Sequence, residues 1–215
     1  MGAKTWMFVY SNGSAKAALG AARSLDRDAS AELAQRLFPS EKLEPLPDGT
    51  LSFTNPHDDE LVVGSWSGVS VIAAKEFAID RPSQLPTAFL SQASSGTAYL
   101  HAMHSVVDWF AFAIWENGKL RRSLSLSPDD GIVEDIGDRL PFEKPFWGGQ
   151  HPAVDPNDEE DDYPFPFHPL ELGEAALAEF FGYQLEGIVD PSLLDPEYVP
   201  LLRFKRTKSS WWNAD

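Results

Sequence analysis

The strongest hydrophobic pattern in the chain runs from Trp109 to Trp115, where large apolar residues alternate with alanine (Trp109, Phe110, Ala111, Phe112, Ala113, Ile114, Trp115). Both faces of Phe110–Trp115 are apolar, which reads as a central strand. Asn117-Gly118 follows, the pair best suited to a type I′ hairpin turn because both residues tolerate positive φ. The return run, Leu120 to Ser127, sets Leu120, Arg122, Leu124 and Leu126 against Arg121, Ser123 and Ser125. Only one of its faces is apolar, so it belongs nearer an edge or solvent.

The same reading extends along the chain. Lys4–Tyr10 is aromatic and β-branched and reads as a strand. Ala15, Ala18, Leu19 and Ala22 form a helical stripe after a turn at Ser11–Ser14. Asp28 or Ser30 can cap a second helix with Leu33, Ala34, Leu37 and Phe38 inward, stopped by Pro39. Pro47-Asp48-Gly49-Thr50 suggests a turn between two short extended runs within Leu43–Phe53. Leu61–Trp66 and Val69–Phe77 form a second hairpin about Ser67-Gly68. Pro82–Ser94 reads as a helix broken by Pro86. Leu170–Phe181 is the clearest helix, with Leu172, Ala175, Ala176 and Glu179 on one face, Leu177, Phe180 and Phe181 widening the apolar side, and Gly182 as its stop. Strands outnumber helices and are joined mostly by hairpin turns. This predicts an α+β fold, a mainly antiparallel sheet with helices packed on one face. The expected organisation is one domain over 1–202, with an acidic surface insertion at about 153–163, and a basic, Trp-containing tail over 203–215.

Composition narrows the function classes. The 215-residue chain has no cysteine, which excludes disulfides, thiolate-ligated zinc and thiol catalysis and fits a cytoplasmic location. No run approaches the ~18 apolar residues of a membrane helix. The net charge of −16 opposes nucleic-acid binding and suits plain solubility first, then a basic protein partner or mimicry of nucleic acid.

MGAKTWMFVYSNG at the start, HAMHSVVDWFAFAIWENGKLRRSLSLSPDDGIVEDIG in the centre and YPFPFHPLELGEAALAEFFG near the end together resemble an uncharacterised bacterial family of unknown function. The resemblance covers most of the chain in the same order. It implies an intracellular globular protein and brings no activity, cofactor or site. The hairpin rhythm is loosely similar to immunity and interaction domains of bacterial conflict systems.

Several residues invite chemical readings. His101 and His104 form H-x-x-H, and with Asp108 they would centre a metal-dependent or acid–base site, Glu134, Asp135 and Asp138 supplying carboxylates. On a strand, however, i and i+3 point to opposite faces. Gly64-Ser65-Trp66-Ser67-Gly68 has Trp66 where a nucleophile elbow needs serine. Ser11-Asn12-Gly13-Ser14 lacks the lysine and glycine spacing of a phosphate loop. Asp155-x-Asn157-x-Glu159 has Glu160 where a calcium loop needs glycine. Arg203, Lys205, Arg206, Lys208, Trp211 and Trp212 stand out in an acidic chain, as a docking tail or as a final strand packed on the body. The expectation is a non-enzymatic binding protein, immunity-like or regulatory, with no cofactor or metal assigned. The alternatives are an enzyme centred on His101, His104 and Asp108, and a small-molecule binder with an apolar cavity.

Overall fold

The computed structural model describes residues 2–22, 24–91, 95–154, 163–188 and 190–208. The acidic run 155–162, the calcium-like spacing within it, Trp211 and Trp212 lie outside the described residues. Nine strands form one antiparallel sheet: β1 (Lys4–Ser11), β2 (Glu41–Thr50), β3 (Glu60–Trp66), β4 (Val69–Ala73), β5 (Thr97–His104), β6 (Trp109–Glu116), β7 (Lys119–Ser127), β8 (Gly131–Ile136) and β9 (Pro200–Lys208). Their order across the sheet is β2-β9-β3-β4-β1-β5-β6-β7-β8. Five helices accompany them among the described residues: α1 (Ala15–Ala21), α2 (Arg27–Leu37), α3 (Thr87–Leu90), α4 (Lys144–Trp147) and α5 (Pro169–Phe180). None is long and apolar enough to cross a membrane. The protein is thus α+β.

The alternation in β6 explains how helices reach the sheet. Phe110, Phe112 and Ile114 enter the cluster under α1 and α5, while Ala111, Ala113 and Trp115 enter the cluster on the opposite face. That second face is covered as well, by Leu33, Ala34 and Phe38 from α2 and its C-cap, and by Phe77, Leu85 and Phe89. A central strand with two apolar faces requires cover on both sides. The alanines leave room for an aromatic layer in which Phe8 stacks on Phe77 at 5.4 Å and Phe77 meets Phe89 at 5.0 Å.

The Asn117-Gly118 turn forms as expected, with φ of 50° and 75°. β7 lies one strand from the edge, which β8 occupies. Its serine face is nevertheless buried: Ser123, Ser125 and Ser127 are all inside. Ser123 Oγ and Ser83 Oγ donate to Glu134, and Trp109 Nε1 donates to Ser125 Oγ at 3.1 Å.

Three local expectations are corrected. Asp26, not Asp28 or Ser30, caps α2, its carboxylate accepting from Ala29 N at 3.0 Å. Pro47-Asp48-Gly49 is not a reversal: β2 continues through it, with a register shift against β9 between Leu46 and Gly49. An edge strand tolerates proline because its outward N–H positions need no partner. The boundary at 202/203 falls inside β9, whose residues Leu202 to Lys205 pair with β3 and whose residues Pro200 to Lys208 pair with β2.

Candidate functional site

The site is built around α5. His168 caps its N-terminus, with Nδ1 accepting from Leu170 N at 3.3 Å. That leaves Nε2 to carry the hydrogen, facing Asp108 Oδ2 at 3.6 Å. Tyr163 stacks on the His168 ring at 5.9 Å. Its hydroxyl is buried without a hydrogen-bond partner and is pushed up to about 12, first by burial and then by the carboxylates of Asp108 and Glu171.

The middle of α5 lies close against the sheet at Gly173. A Cβ there would stand 2.7 Å from Met103 Sδ and 3.1 Å from Phe110 Cδ2. The close approach brings the Gly173 carbonyl to 3.0 Å from His101 Nε2. A carbonyl only accepts, so Nε2 carries the hydrogen and Nδ1 accepts from Thr5 Oγ1 at 2.6 Å. Both ring nitrogens are used, and burial pushes the fully enclosed imidazole down to about 4.

The next residue, Glu174, occupies an apolar-stripe position four residues after Leu170 and three before Leu177. It is 8% exposed. Gly182, at φ 79°, ends the helix, its N–H bonding the Leu177 carbonyl at 3.0 Å, and the chain turns back alongside α5. Leu185 N then donates to Glu174 Oε2 at 2.8 Å, while Oε1 is buried without a hydrogen-bond partner. Burial, reinforced by the neighbouring Glu186 carboxylate, pushes Glu174 up to about 7 against the pull of the Leu185 and Glu186 amides.

Glu174 lines an open cleft of about 770 Å³ between α5 and the returning segment. Leu170, Ala175, Ile188 and Phe146 supply apolar walls, and Glu171, Glu186, Gln184 and His151 supply polar groups. His151 stacks on Phe146 at 4.2 Å, with the planes 16° apart. Ile188 is 98% exposed at the rim. A concave, largely apolar site with one titratable group displaced toward neutrality has the hallmarks of a ligand pocket.

The expected H-x-x-H centre does not converge. His101 and His104 leave β5 on opposite faces: His101 packs on Phe110 at 5.3 Å, His104 stacks on Trp6 at 6.0 Å. Asp108 sits in the β5–β6 turn at φ 47° and faces His168. Glu134 and Asp135 diverge on β8, Glu134 to Ser83 and Ser123, Asp135 to Arg122 at 2.5 Å. Among the described residues, no three His, Asp or Glu side chains are grouped to hold a metal ion.

Residues 5–204 match a family of unknown function, DUF6928. The chain belongs to that family. No curated protein and no solved structure matches it.

In this DUF6928 chain Arg203, Lys205 and Arg206 are engaged internally. Arg206 is buried, with a fork on Glu41 at 2.6 and 2.9 Å and a second on Glu76 at 2.5 and 2.8 Å. Its guanidinium lies 4.2 Å from the Phe38 ring. Arg203 bonds Glu60 at 3.0 Å and Lys205 faces Asp59 at 3.4 Å. Those partners are more than a hundred residues away, which local reading cannot supply. Two buried charges were legible in principle. Glu174 interrupts the apolar stripe of α5, and Arg122 shares the face of Leu124 and Leu126. Arg122 is fully enclosed, gripping Glu143 at 2.9 and 2.7 Å.

Proposed function

We propose that this is a binding protein whose ligand site is the cleft beside α5. Glu174 carries the reading: a buried carboxyl on the cleft wall, one oxygen tied to the backbone and the other unpartnered. Burying such a group costs free energy unless something repays it. The apolar walls and the wholly exposed Ile188 at the rim supply surface that a ligand would cover. The alternative of acid–base or metal chemistry centred on His101, His104 and Asp108 has no geometric support, since the three side chains point apart. Docking through Arg203, Lys205 and Arg206 would first have to break their internal ion pairs.

The test is a fragment screen by thermal shift and by the amide resonances of Leu185 and Glu186, on the native chain and on Ala175→Trp, which fills the cleft. Fragments that stabilise the native chain and shift those amides should lose both effects in Ala175→Trp. Hits indifferent to that substitution would place the binding site elsewhere.

A further inference from the structure

We propose that the cleft beside α5 selects an organic cation, an ammonium or guanidinium group carried on an apolar body; this rests on the cleft being the ligand site. Among the described residues, three acidic side chains line it, Glu171, Glu174 and Glu186, and no lysine or arginine does. His151 is the remaining titratable side chain in the lining, and its ring is stacked on Phe146. The Asp108 carboxylate and the buried Tyr163 hydroxyl stand near Glu171 at the start of the same helix, so the local field there is negative as well. Two cations near α5 are engaged elsewhere. Lys16 Nζ donates to the Ala178 carbonyl at 3.0 Å, and the Arg139 guanidinium lies 3.9 Å over the Trp147 ring.

The Glu174 side chain makes a specific demand of its own. It is more than nine-tenths buried, lines the cleft, and leaves Oε1 without a donor. A donor from the ligand would satisfy that oxygen. An anionic ligand would meet the Glu171 and Glu186 carboxylates and oppose ionisation of Glu174, and a neutral apolar one would leave Oε1 as it is. A hard divalent ion needs several oxygens converging at about 2.0–2.6 Å. No such group forms among the described residues. The apolar walls of Leu170, Ala175 and Ile188 instead require a ligand with hydrocarbon surface, within the size range of small-molecule sites. Ligand cation and ionised Glu174 would pair away from water, where a charge-assisted hydrogen bond is stronger than a neutral one.

The experiment titrates 2-phenylethylamine, 2-phenylethanol and phenylacetate into the full chain by calorimetry and by the amide shifts of Leu185 and Glu186. It uses the native protein, Glu174→Gln, and Glu179→Gln as a control outside the cleft lining. The amine should bind roughly tenfold or more tighter than the alcohol, and Glu174→Gln should remove that advantage. Phenylacetate should bind weakest. At pH 6 amine binding should release a proton, seen as a dependence of heat on buffer ionisation, and Glu174→Gln should abolish the release. Glu171, Glu186, His151 and Tyr183 also face this region, so a release that persists in Glu174→Gln would assign the proton to one of them and overturn the role of Glu174. Equal binding of amine and alcohol would overturn the cation preference while leaving the cleft as a ligand site. Failure of all three to shift the amides would overturn both.

Discussion

His101 Nε2 donates to the Gly173 carbonyl oxygen at 3.0 Å, so a strand in the centre of the sheet is hydrogen-bonded directly to the backbone of the helix that carries Glu174. With Nδ1 accepting from the Thr5 hydroxyl, the ring is the neutral Nε2–H tautomer, and burial rather than the bond to Gly173 disfavours its protonation. Since the folded ring is depressed to about 4, its contribution is complete above the unfolded value near 6.5 and is lost as pH falls toward 4. The loss amounts to about 3 kcal/mol. His101→Gln should be less stable than the native chain at pH 7.5 by roughly 1–3 kcal/mol, and the gap should narrow in urea titrations at pH 4.5.

Gly173→Ala tests the close approach itself. Alanine is the better helix former by about 1 kcal/mol. Its Cβ would press on Met103 Sδ, which can swing aside, and on the Phe110 ring, which is enclosed. Overpacking should win, giving a net loss of roughly 1–2 kcal/mol in chemical denaturation. An increase in stability would show that α5 has room to move away from the sheet.

Glu174→Gln should stabilise the protein at high pH. Burial pushes the native carboxyl up to about 7 from its ordinary value of 4.5, so the protonated form is the one the fold favours. Its contribution is complete below about 4.5 and is lost as pH rises through about 7, a change of about 3 kcal/mol. Glutamine removes the titration. The variant should match the native chain near pH 4.5 and exceed it by roughly 1–3 kcal/mol at pH 8.5, read as unfolding midpoints across that range.

Arg122 and its neighbour Arg121 make an internal control. Arg122→Ala leaves Glu143 enclosed without its partner and should cost roughly 3–5 kcal/mol. Arg122→Lys keeps the charge and loses the fork, and should cost roughly 1–3 kcal/mol. Arg121, paired with Glu116 at 3.1 Å in the open, should be replaceable by alanine within about 0.5 kcal/mol.

The parts of this fold that could be read from sequence are those fixed by local chemistry. Asn117-Gly118 makes its turn because both residues accept positive φ, and Gly182 ends α5 for the same reason. The apolar doubling of Phe110–Trp115 places β6 inside the sheet. Non-local pairing could not be read. Pro47-Asp48-Gly49 has the composition of a turn and lies in an edge strand because β9 pairs along most of β2 and a bulge absorbs the misfit. The basic stretch of β9 looks like a free tail until Glu41, Glu60 and Glu76 are brought beside it. For the site, sequence motif favoured histidine spacing, whereas strand geometry separates His101 from His104. The group in the cleft, Glu174, carried a signal of another kind, a carboxylate where the helical repeat calls for an apolar side chain.

β9 lies between β2 and β3. Those two strands are consecutive in the chain, yet neither pairs with the other. During synthesis β3 must therefore wait with one edge open while well over a hundred further residues emerge, and β2 has no sheet to join until residues 200–208 arrive. Leu201, Leu202 and Phe204 come with that strand and complete both cores together. Contacts between residues so distant in sequence slow folding, and an open edge beside apolar surface invites pairing with other chains. A nascent chain stopped before β9 is thus a candidate for chaperone capture, and its seven remaining contiguous strands are the part that can assemble first.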